Sequence, residues 1–350
     1  MEYLHNEAHN TPPFQHLIKK WIILTTSFII LLLAIHFFVP DYLQKIARGL
    51  SILLFLVLFL RLILAFFIHK KSKKFRFFVQ LIYLFTAIIV SFIVMVQVLA
   101  PSVMFYTYFA EDAYEKLLTV PNAEEITIDT DQGTLSGWFL HHVEDSAPLI
   151  IYFGGNAENS AARILRLLDR PQDLETFSGY NFVFIDYPGY GKSDGLPTAD
   201  SLRQYGLSVY DAMAAREDVT DITVLAFSIG TGVGNYVSSQ RLVDNLILFA
   251  PYADGVDLYN NYLNIFHGPL ALLVPYDMEA IKYAAHIQLK PLIIASKSDQ
   301  IVSYNSSLRL ASAYPLGTSF ITLDGVGHND IWNTPDVLST VRKYLSDFDD

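Results

Sequence analysis

The chain has 350 residues, 52% of them apolar and 17% charged, with a formal net charge of −11 and no cysteine. That is more apolar sequence than a soluble domain of this size usually carries, and an acidic balance without clustered Lys and Arg argues against a nucleic-acid partner. The missing cysteines remove disulfides, thiolate metal sites and a Cys nucleophile together.

Charge divides the chain. Residues 1 to 100 hold 10 of the 24 Lys+Arg but only 3 of the 35 Asp+Glu, which leaves 14 against 32 in the rest. Three long apolar runs dominate this first part: Trp21 to Val39, Leu50 to Ile68 and Phe77 to Ala100. About nineteen helical residues at about 1.5 Å each match the ~30 Å hydrocarbon thickness of a bilayer. A soluble core helix rarely stays apolar around its whole circumference for that length. A cleavable signal peptide would be shorter and would not be followed by two further runs. The spacing predicts a membrane anchor of three transmembrane helices over residues 1–100.

Lys19 and Lys20 precede the first run, and Lys70, Lys71, Lys73, Lys74 and Arg76 follow the second, whereas the connection between those two runs carries only Lys45 and Arg48 with Asp41. Basic flanks stay cytoplasmic, so three spans send the chain after Ala100 to the opposite face. The expected product is a multi-pass membrane protein whose large domain is non-cytoplasmic. Arg61, inside the second run, is expected to face another helix, to snorkel or to pair. Residues 101–125 read as a juxtamembrane linker in which Phe105, Tyr106, Tyr108 and Phe109 anchor at the interface and an acidic, helix-favouring stretch follows.

From Ile126 the pattern changes to short β-branched runs separated by helical stretches, the mark of a mostly parallel sheet covered on both faces. Strands are expected at EITIDT, GWFLHH, LIIYF, NFVFID, ITVLAF, NLILFA, LIIAS and SFITL, the first two joined as a hairpin. Helices are expected at Glu158 to Leu168, Ala199 to Arg216, Ile229 to Gln240, Ser303 to Ala313 and Pro335 to Leu345.

The polar residues gather in loops at the carboxyl ends of strands, where such sheets place their chemistry. In ITVLAFSIGTGVG a strand ends and a helix starts around Ser228, flanked by Ala226 and Gly230. A serine on such an elbow is strained, so the residues two before and two after it must be small; the usual form is GxSxG, and Ala226 replaces its first glycine. In LIIYFGGNAENS the Gly154-Gly155 pair lets backbone approach a ligand, which makes the Asn156 amide, with the Ile229 amide, the candidate oxyanion hole. Asp299 follows the LIIAS strand, and His328 follows the SFITL strand in a glycine-containing loop. Nucleophile, orienting acid and base thus come in the order Ser228, Asp299, His328. Asp254, after NLILFA, is the rival acid.

Other chemistries fit less well. Gly191-Lys192-Ser193 lacks the earlier glycine of a phosphate loop, since Asp186 holds that position. His141, His142, His267 and His286 make no metal motif with carboxylates, and Asp186 reads as support for its loop. No metal or cofactor is expected.

Residues 126 to 348 resemble the α/β-hydrolase family, and FIDYPGYGKSDG with YFGGNAEN resembles its small-cap, membrane-associated serine hydrolases: esterases, acyl-thioesterases and serine aminopeptidase-like enzymes. Two departures stand out. Gly154 replaces the His common before the oxyanion glycine, and Ala226 replaces the elbow glycine; neither removes a catalytic group. The resemblance implies, over residues 126–350, an α/β-hydrolase domain with an eight-stranded sheet and a small cap at about 252–288. The cap's Tyr, Leu and Phe side chains serve either as ordinary core or as a lining for an acyl chain. The expected substrate is a small acyl compound, an ester or thioester of lipid type. The alternatives are a peptidase, which needs an acid such as Asp254, Asp257, Asp277 or Glu279 for the substrate ammonium, and a non-catalytic membrane interaction protein.

Overall fold

The structure is a computed structural model describing residues 13–38, 41–68, 71–99, 105–143 and 146–346. It divides into two compact units, Met1–Val103 and Met104–Asp350. Val39 and Ala100, which end two of the expected runs, Lys70 and residues 101–104 lie outside the described residues.

The first unit is helical, with helices Pro13–Phe38, Asp41–Ile68 and Lys73–Val94, the last continuing into a π-helical turn at Met95–Leu99. Ser72 starts the third helix by accepting a hydrogen bond from the Phe75 amide, which satisfies one of the donors a helix leaves open at its N-terminus. Phe28 stacks on Phe55 at 4.4 Å between the first two helices, and the Tyr83 hydroxyl donates to the Val57 carbonyl across the second and third. Two stretches among the described residues, Ala47–Ala65 and Lys73–Gln97, are long and apolar enough to cross a membrane, and 6% of each is buried inside the unit. Three spans were expected from the sequence; helix Pro13–Phe38 occupies the place of the first but is not one of these two. Arg61 is exposed on its helix.

The second unit is built on one eight-stranded sheet in the order β1-β2-β4-β3-β5-β6-β7-β8. Its strands are β1 Ala123–Thr130, β2 Gly133–Leu140, β3 Ala147–Phe153, β4 Asn181–Ile185, β5 Val219–Phe227, β6 Asn245–Phe249, β7 Leu292–Ser296 and β8 Ser319–Leu323. The first two form the expected hairpin, β2 meets β4 antiparallel, and all later neighbours are parallel. All five residues of β4, β6 and β7 are buried, as strands with both faces covered require.

Helices Ser160–Leu168, Ala199–Ala214, Gly230–Gln240, Tyr304–Ala311 and Pro335–Ser346 fall where the sequence predicts them, within about two residues at each end. Asn159 caps the first by accepting from the Ala162 amide, and Thr198 and Ser201 close a reciprocal capping box on the second. The sequence reading misses Pro171–Thr176, too short to show a helical period, and the elements between β6 and β7: helices Gly255–Tyr262 and Ala280–Ala284 with a 3₁₀ turn at Gly268–Leu273. Helix Glu111–Leu117 occupies the acidic stretch ahead of β1.

The loop after β4 rests on Asp186. One carboxylate oxygen accepts from the Ser160 amide at 2.8 Å, and the Asp186 carbonyl accepts from Ser193 Oγ at 2.7 Å. Burial raises this carboxyl from 3.8 to about 6, and its bonds to Ser160 offset only part of the rise. The native state therefore keeps a proton that the unfolded chain releases between about pH 4 and pH 6, so this group's contribution falls as pH rises through that window, by up to about 3 kcal/mol. Asp186→Asn has no charge to bury. Its unfolding free energy relative to wild type is expected to improve steadily from pH 4 to pH 7 in denaturant titrations followed by tryptophan fluorescence; a difference that stays constant over this range would contradict the assignment.

Candidate active site

Strand β5 ends at Phe227 and is followed by Ser228, whose φ of 53° lies in the left-handed region, and the helix Gly230–Gln240 begins two residues later. A non-glycine residue in that conformation stores about 1–3 kcal/mol of strain and needs its surroundings to hold it. The Ser228 amide donates to the Phe249 carbonyl at 2.9 Å, and Thr231 Oγ1 donates to the Ser228 carbonyl at 2.6 Å. The flanking residues must be small. A Cβ on Gly230 would lie 2.2 Å from the Phe153 carbonyl oxygen, and one on Gly234 would lie 3.1 Å from Ala226 Cβ. Ala226 is therefore accommodated by a glycine on the facing helix.

His328 opens a 3₁₀ turn, His328–Asn333, in the loop after β8. Its Nε2 is 3.0 Å from Ser228 Oγ and its Nδ1 is 2.7 Å from Asp299 Oδ2. The other oxygen of Asp299 accepts from the Ile301 and Val302 amides, each at 2.8 Å. With both carboxylate oxygens engaged and the side chain 2% exposed, the carboxylate is fixed in orientation. A carboxylate on Nδ1 selects the tautomer that carries its proton there, leaving the Nε2 lone pair facing the serine hydroxyl. The two loops are stitched together: Ser296 Oγ donates to the Val326 carbonyl at 2.5 Å, and the Gly325 amide donates to Ser298 Oγ at 3.0 Å. The Phe227 ring, 4.9 Å from the imidazole, covers the histidine.

The structure thus brings Ser228, His328 and Asp299 into one hydrogen-bonded chain. Asp254 is engaged elsewhere, capping helix Gly255–Tyr262 through the Asp257 amide at 2.9 Å and pairing with Arg309 at 2.9 Å.

The Gly154-Gly155-Asn156 loop runs beside the serine, and a Cβ on Gly155 would be 3.7 Å from Ser228 Cβ. Two residues that the sequence reading did not single out shape this loop. Glu158 Oε2 accepts from the Gly155 amide at 2.7 Å and from the Tyr152 hydroxyl at 2.8 Å. Tyr190 donates its hydroxyl to Asn156 Oδ1 at 2.8 Å, and the same oxygen accepts from the Tyr106 and Ala157 amides, each at 3.0 Å. Glu158 follows the glycine pair closely in the sequence, which was a usable signal; Tyr190 gave none, because its partner lies 34 residues away. The Ile229 peptide stands at the helix N-terminus, its carbonyl accepting from the Tyr252 hydroxyl at 3.2 Å.

Of the aromatic residues expected at the membrane interface, Phe105 is buried in the second unit, edge-on to Tyr276 at 5.6 Å, while Tyr106, Tyr108 and Phe109 are exposed. The Tyr108 carbonyl accepts from the Gly191 amide at 3.3 Å. Ser193 is bound internally, accepting from the Ser136 amide at 2.9 Å. Among the remaining histidines, His141 pairs with Glu124 and His267 contacts Asn264, at 2.9 and 2.7 Å. Among the described residues no group of three His, Cys, Asp or Glu side chains is arranged to hold a metal ion.

No family model matches the chain. An uncharacterized protein of Mycobacterium tuberculosis is 26% identical over 234 residues, which cover 65% of this chain and 81% of that protein. The lysophosphatidylserine lipase ABHD12 of Rattus norvegicus is 24% identical over 242 residues, 61% of this chain, and the chain spans 60% of that lipase's length. Among solved structures, Est1E from Butyrivibrio proteoclasticus superposes with a TM-score of 0.52 at 18% identity, over 64% of this chain and 98% of Est1E. An antiparallel start, a parallel remainder, a strained serine on the β5 elbow and these relatives agree: the chain has the α/β-hydrolase fold and resembles the α/β-hydrolase family.

Proposed function

We propose that the protein is a membrane-anchored serine hydrolase that cleaves an ester or thioester with an apolar acyl group. The observation that carries this reading is the buried chain from Asp299 through His328 to Ser228. In it Ser228 Oγ attacks the substrate carbonyl while His328 Nε2 takes the hydroxyl proton. The resulting oxyanion is held by the Ile229 and Asn156 amides at the positive end of helix Gly230–Gln240. The imidazolium returns its proton to the leaving alkoxide or thiolate, and water, deprotonated by the same nitrogen, releases the acyl group from Ser228. Asp299 keeps the imidazole oriented throughout. No cofactor takes part.

Three apolar runs in the sequence, two of which form helices long and apolar enough to cross a membrane, and the basic residues flanking them support an anchor of three spans with the hydrolase domain on the non-cytoplasmic side. Similarity to the rat lysophosphatidylserine lipase supports a lipid-like acyl substrate. The peptidase alternative requires an acid free to receive an ammonium group. Its four candidates each have a cation already: Asp254 and Asp257 pair with Arg309 at 2.9 and 2.7 Å, Asp277 with Arg203 at 3.2 Å, and Glu279 with Lys282 at 2.7 Å. That pairing favours the ester reading.

A fluorophosphonate probe should label the wild type and Ser193→Ala but not Ser228→Ala; a well-folded wild type that takes no label would sink the proposal. Asp299→Asn is expected to lower kcat by a factor on the order of 10³ to 10⁴, while Asp254→Asn changes it only a few-fold; the reverse order would return the acid's role to Asp254. Tyr190→Phe removes one bond to Asn156 Oδ1 and should lower kcat about tenfold with KM and thermal midpoint unchanged, a fraction of the ~10² to 10³ lost when an oxyanion donor is deleted. An equal change in KM would place its effect on substrate binding instead. Activity on p-nitrophenyl esters should rise with acyl length while aminoacyl anilides stay uncleaved; preferential anilide cleavage would favour the peptidase.

A further inference from the structure

The segment Leu258–Tyr276, between β6 and β7, contains no Asp, Glu, Lys or Arg, although the chain from residue 101 onward holds 14 basic and 32 acidic residues. Asp257 and Asp277 flank it, and each is neutralised by an arginine, Arg309 at 2.7 Å and Arg203 at 3.2 Å. Inside it, Phe266 and Val274 are buried, but Leu272 is 86% and Tyr262 73% exposed, with Leu263 and Leu270 exposed beside them. Asn261 Nδ2 donates to the Gln300 and Ile301 carbonyls at 2.8 and 3.0 Å, which joins this segment to the loop carrying Asp299, where Ile301 is exposed as well. Single exposed leucines are ordinary on a protein surface, whereas a contiguous uncharged group of them marks an interaction site.

We propose that this face rests on the surface of a lipid bilayer, so that an acyl substrate passes from the membrane directly to the loop of Asp299 and His328. The inference rests on the membrane-anchored reading above. Drawing a formal charge out of water into a bilayer is costly, so a face without formal charge is the one suited to contact with it. Leucine and tyrosine side chains are the kind that enter the interface. A bilayer is favoured over a protein partner because this chain carries its own apolar helices, the last of whose apolar windows ends at Gln97, eight residues before Phe105.

The test uses the full chain in phosphatidylcholine vesicles containing a lipid with a nitroxide on its acyl chain. The protein has no native cysteine, so Leu272→Cys, Ile88→Cys and Leu242→Cys each accept one environment-sensitive fluorophore. Ile88 reports the third helix, and Leu242, 92% exposed, lies just before β6 at the opposite end of the sheet. Quenching at 272 and 88 but not at 242 is the expected result. Quenching at 88 without 272 overturns the docking face and leaves the anchor standing; quenching at 272 without 88 does the reverse. No quenching at either site overturns both, and equal quenching at 242 and 272 overturns the specificity of the face. A label at 272 that is unquenched yet shielded from aqueous iodide marks a protein partner or a second copy, and also overturns the proposal. Leu270→Asp with Leu272→Asp should raise KM about tenfold for a long-chain ester embedded in vesicles and leave soluble p-nitrophenyl acetate hydrolysis unchanged; an equal loss on both substrates counts against a lipid-facing role.

Discussion

The helix that follows the elbow lies so close to the end of β3 that a Cβ at Gly230 would meet the Phe153 and Gly154 carbonyl oxygens at 2.2 and 2.5 Å. That approach is set by the parallel register, in which Phe153 pairs with Ala226 and Phe227 with Phe249. Three neighbouring strands end at one level, and the loops leaving them have nowhere to go except past one another. Ser228 is consequently held on both sides, its amide by the Phe249 carbonyl and its carbonyl by Thr231. The strain at its φ is offset by bonds that the sheet itself provides. The elbow is thus fixed by the sheet and the helix it joins, the arrangement under which aligned dipoles can stabilise developing charge.

Two buried carboxylates in the same domain differ in their hydrogen-bond partners. Asp299 has two amides on one oxygen and an imidazole on the other, which fixes its orientation. Asp186 has the Ser160 amide on one oxygen, and burial carries its pKa up to about 6. The loop between β3 and the next helix faces the same constraint at the level of backbone. It has no regular structure to satisfy its amides, so the side chains of Glu158 and Asn156 accept from them instead.

Much of this architecture was legible because it is encoded locally. Each strand carries its own β-branched run, and the residues of the site follow strand ends in chain order, so Ser228, Asp299 and His328 could be placed without knowing what they touch. Asn156 and Ile229 are proposed as oxyanion donors on the strength of a glycine pair and an elbow alone. What was not legible depends on contacts between distant segments. Tyr190 matters through Asn156, and Phe105 through Tyr276, which lies far along the chain. Aromatic residues just beyond an apolar run read naturally as interfacial anchors; only packing shows that Phe105 belongs to the globular unit. The short helices between β6 and β7 were missed because too few residues repeat in each. Their division into buried and exposed apolar side chains was equally hidden, since periodicity over so short a span does not separate a core face from an outward one.

The two departures from the usual hydrolase pattern prove to be exchanges of volume between neighbours. Ala226 adds a methyl where glycine is common, and the facing helix position is Gly234, leaving 3.1 Å where its Cβ would stand. Gly154 removes a side chain from the loop after β3, and the vacated space is taken by the Glu158 carboxylate, 2.7 Å from where a Cβ on Gly154 would be. That carboxylate then does the work of shaping the loop by binding the Gly155 amide and the Tyr152 hydroxyl. A motif read letter by letter registers two mismatches here. Read as space to be filled and donors to be satisfied, the same residues meet the steric and hydrogen-bonding demands of a strained serine beside a glycine loop, because close-packed interiors constrain the sum of neighbouring volumes more tightly than any one side chain.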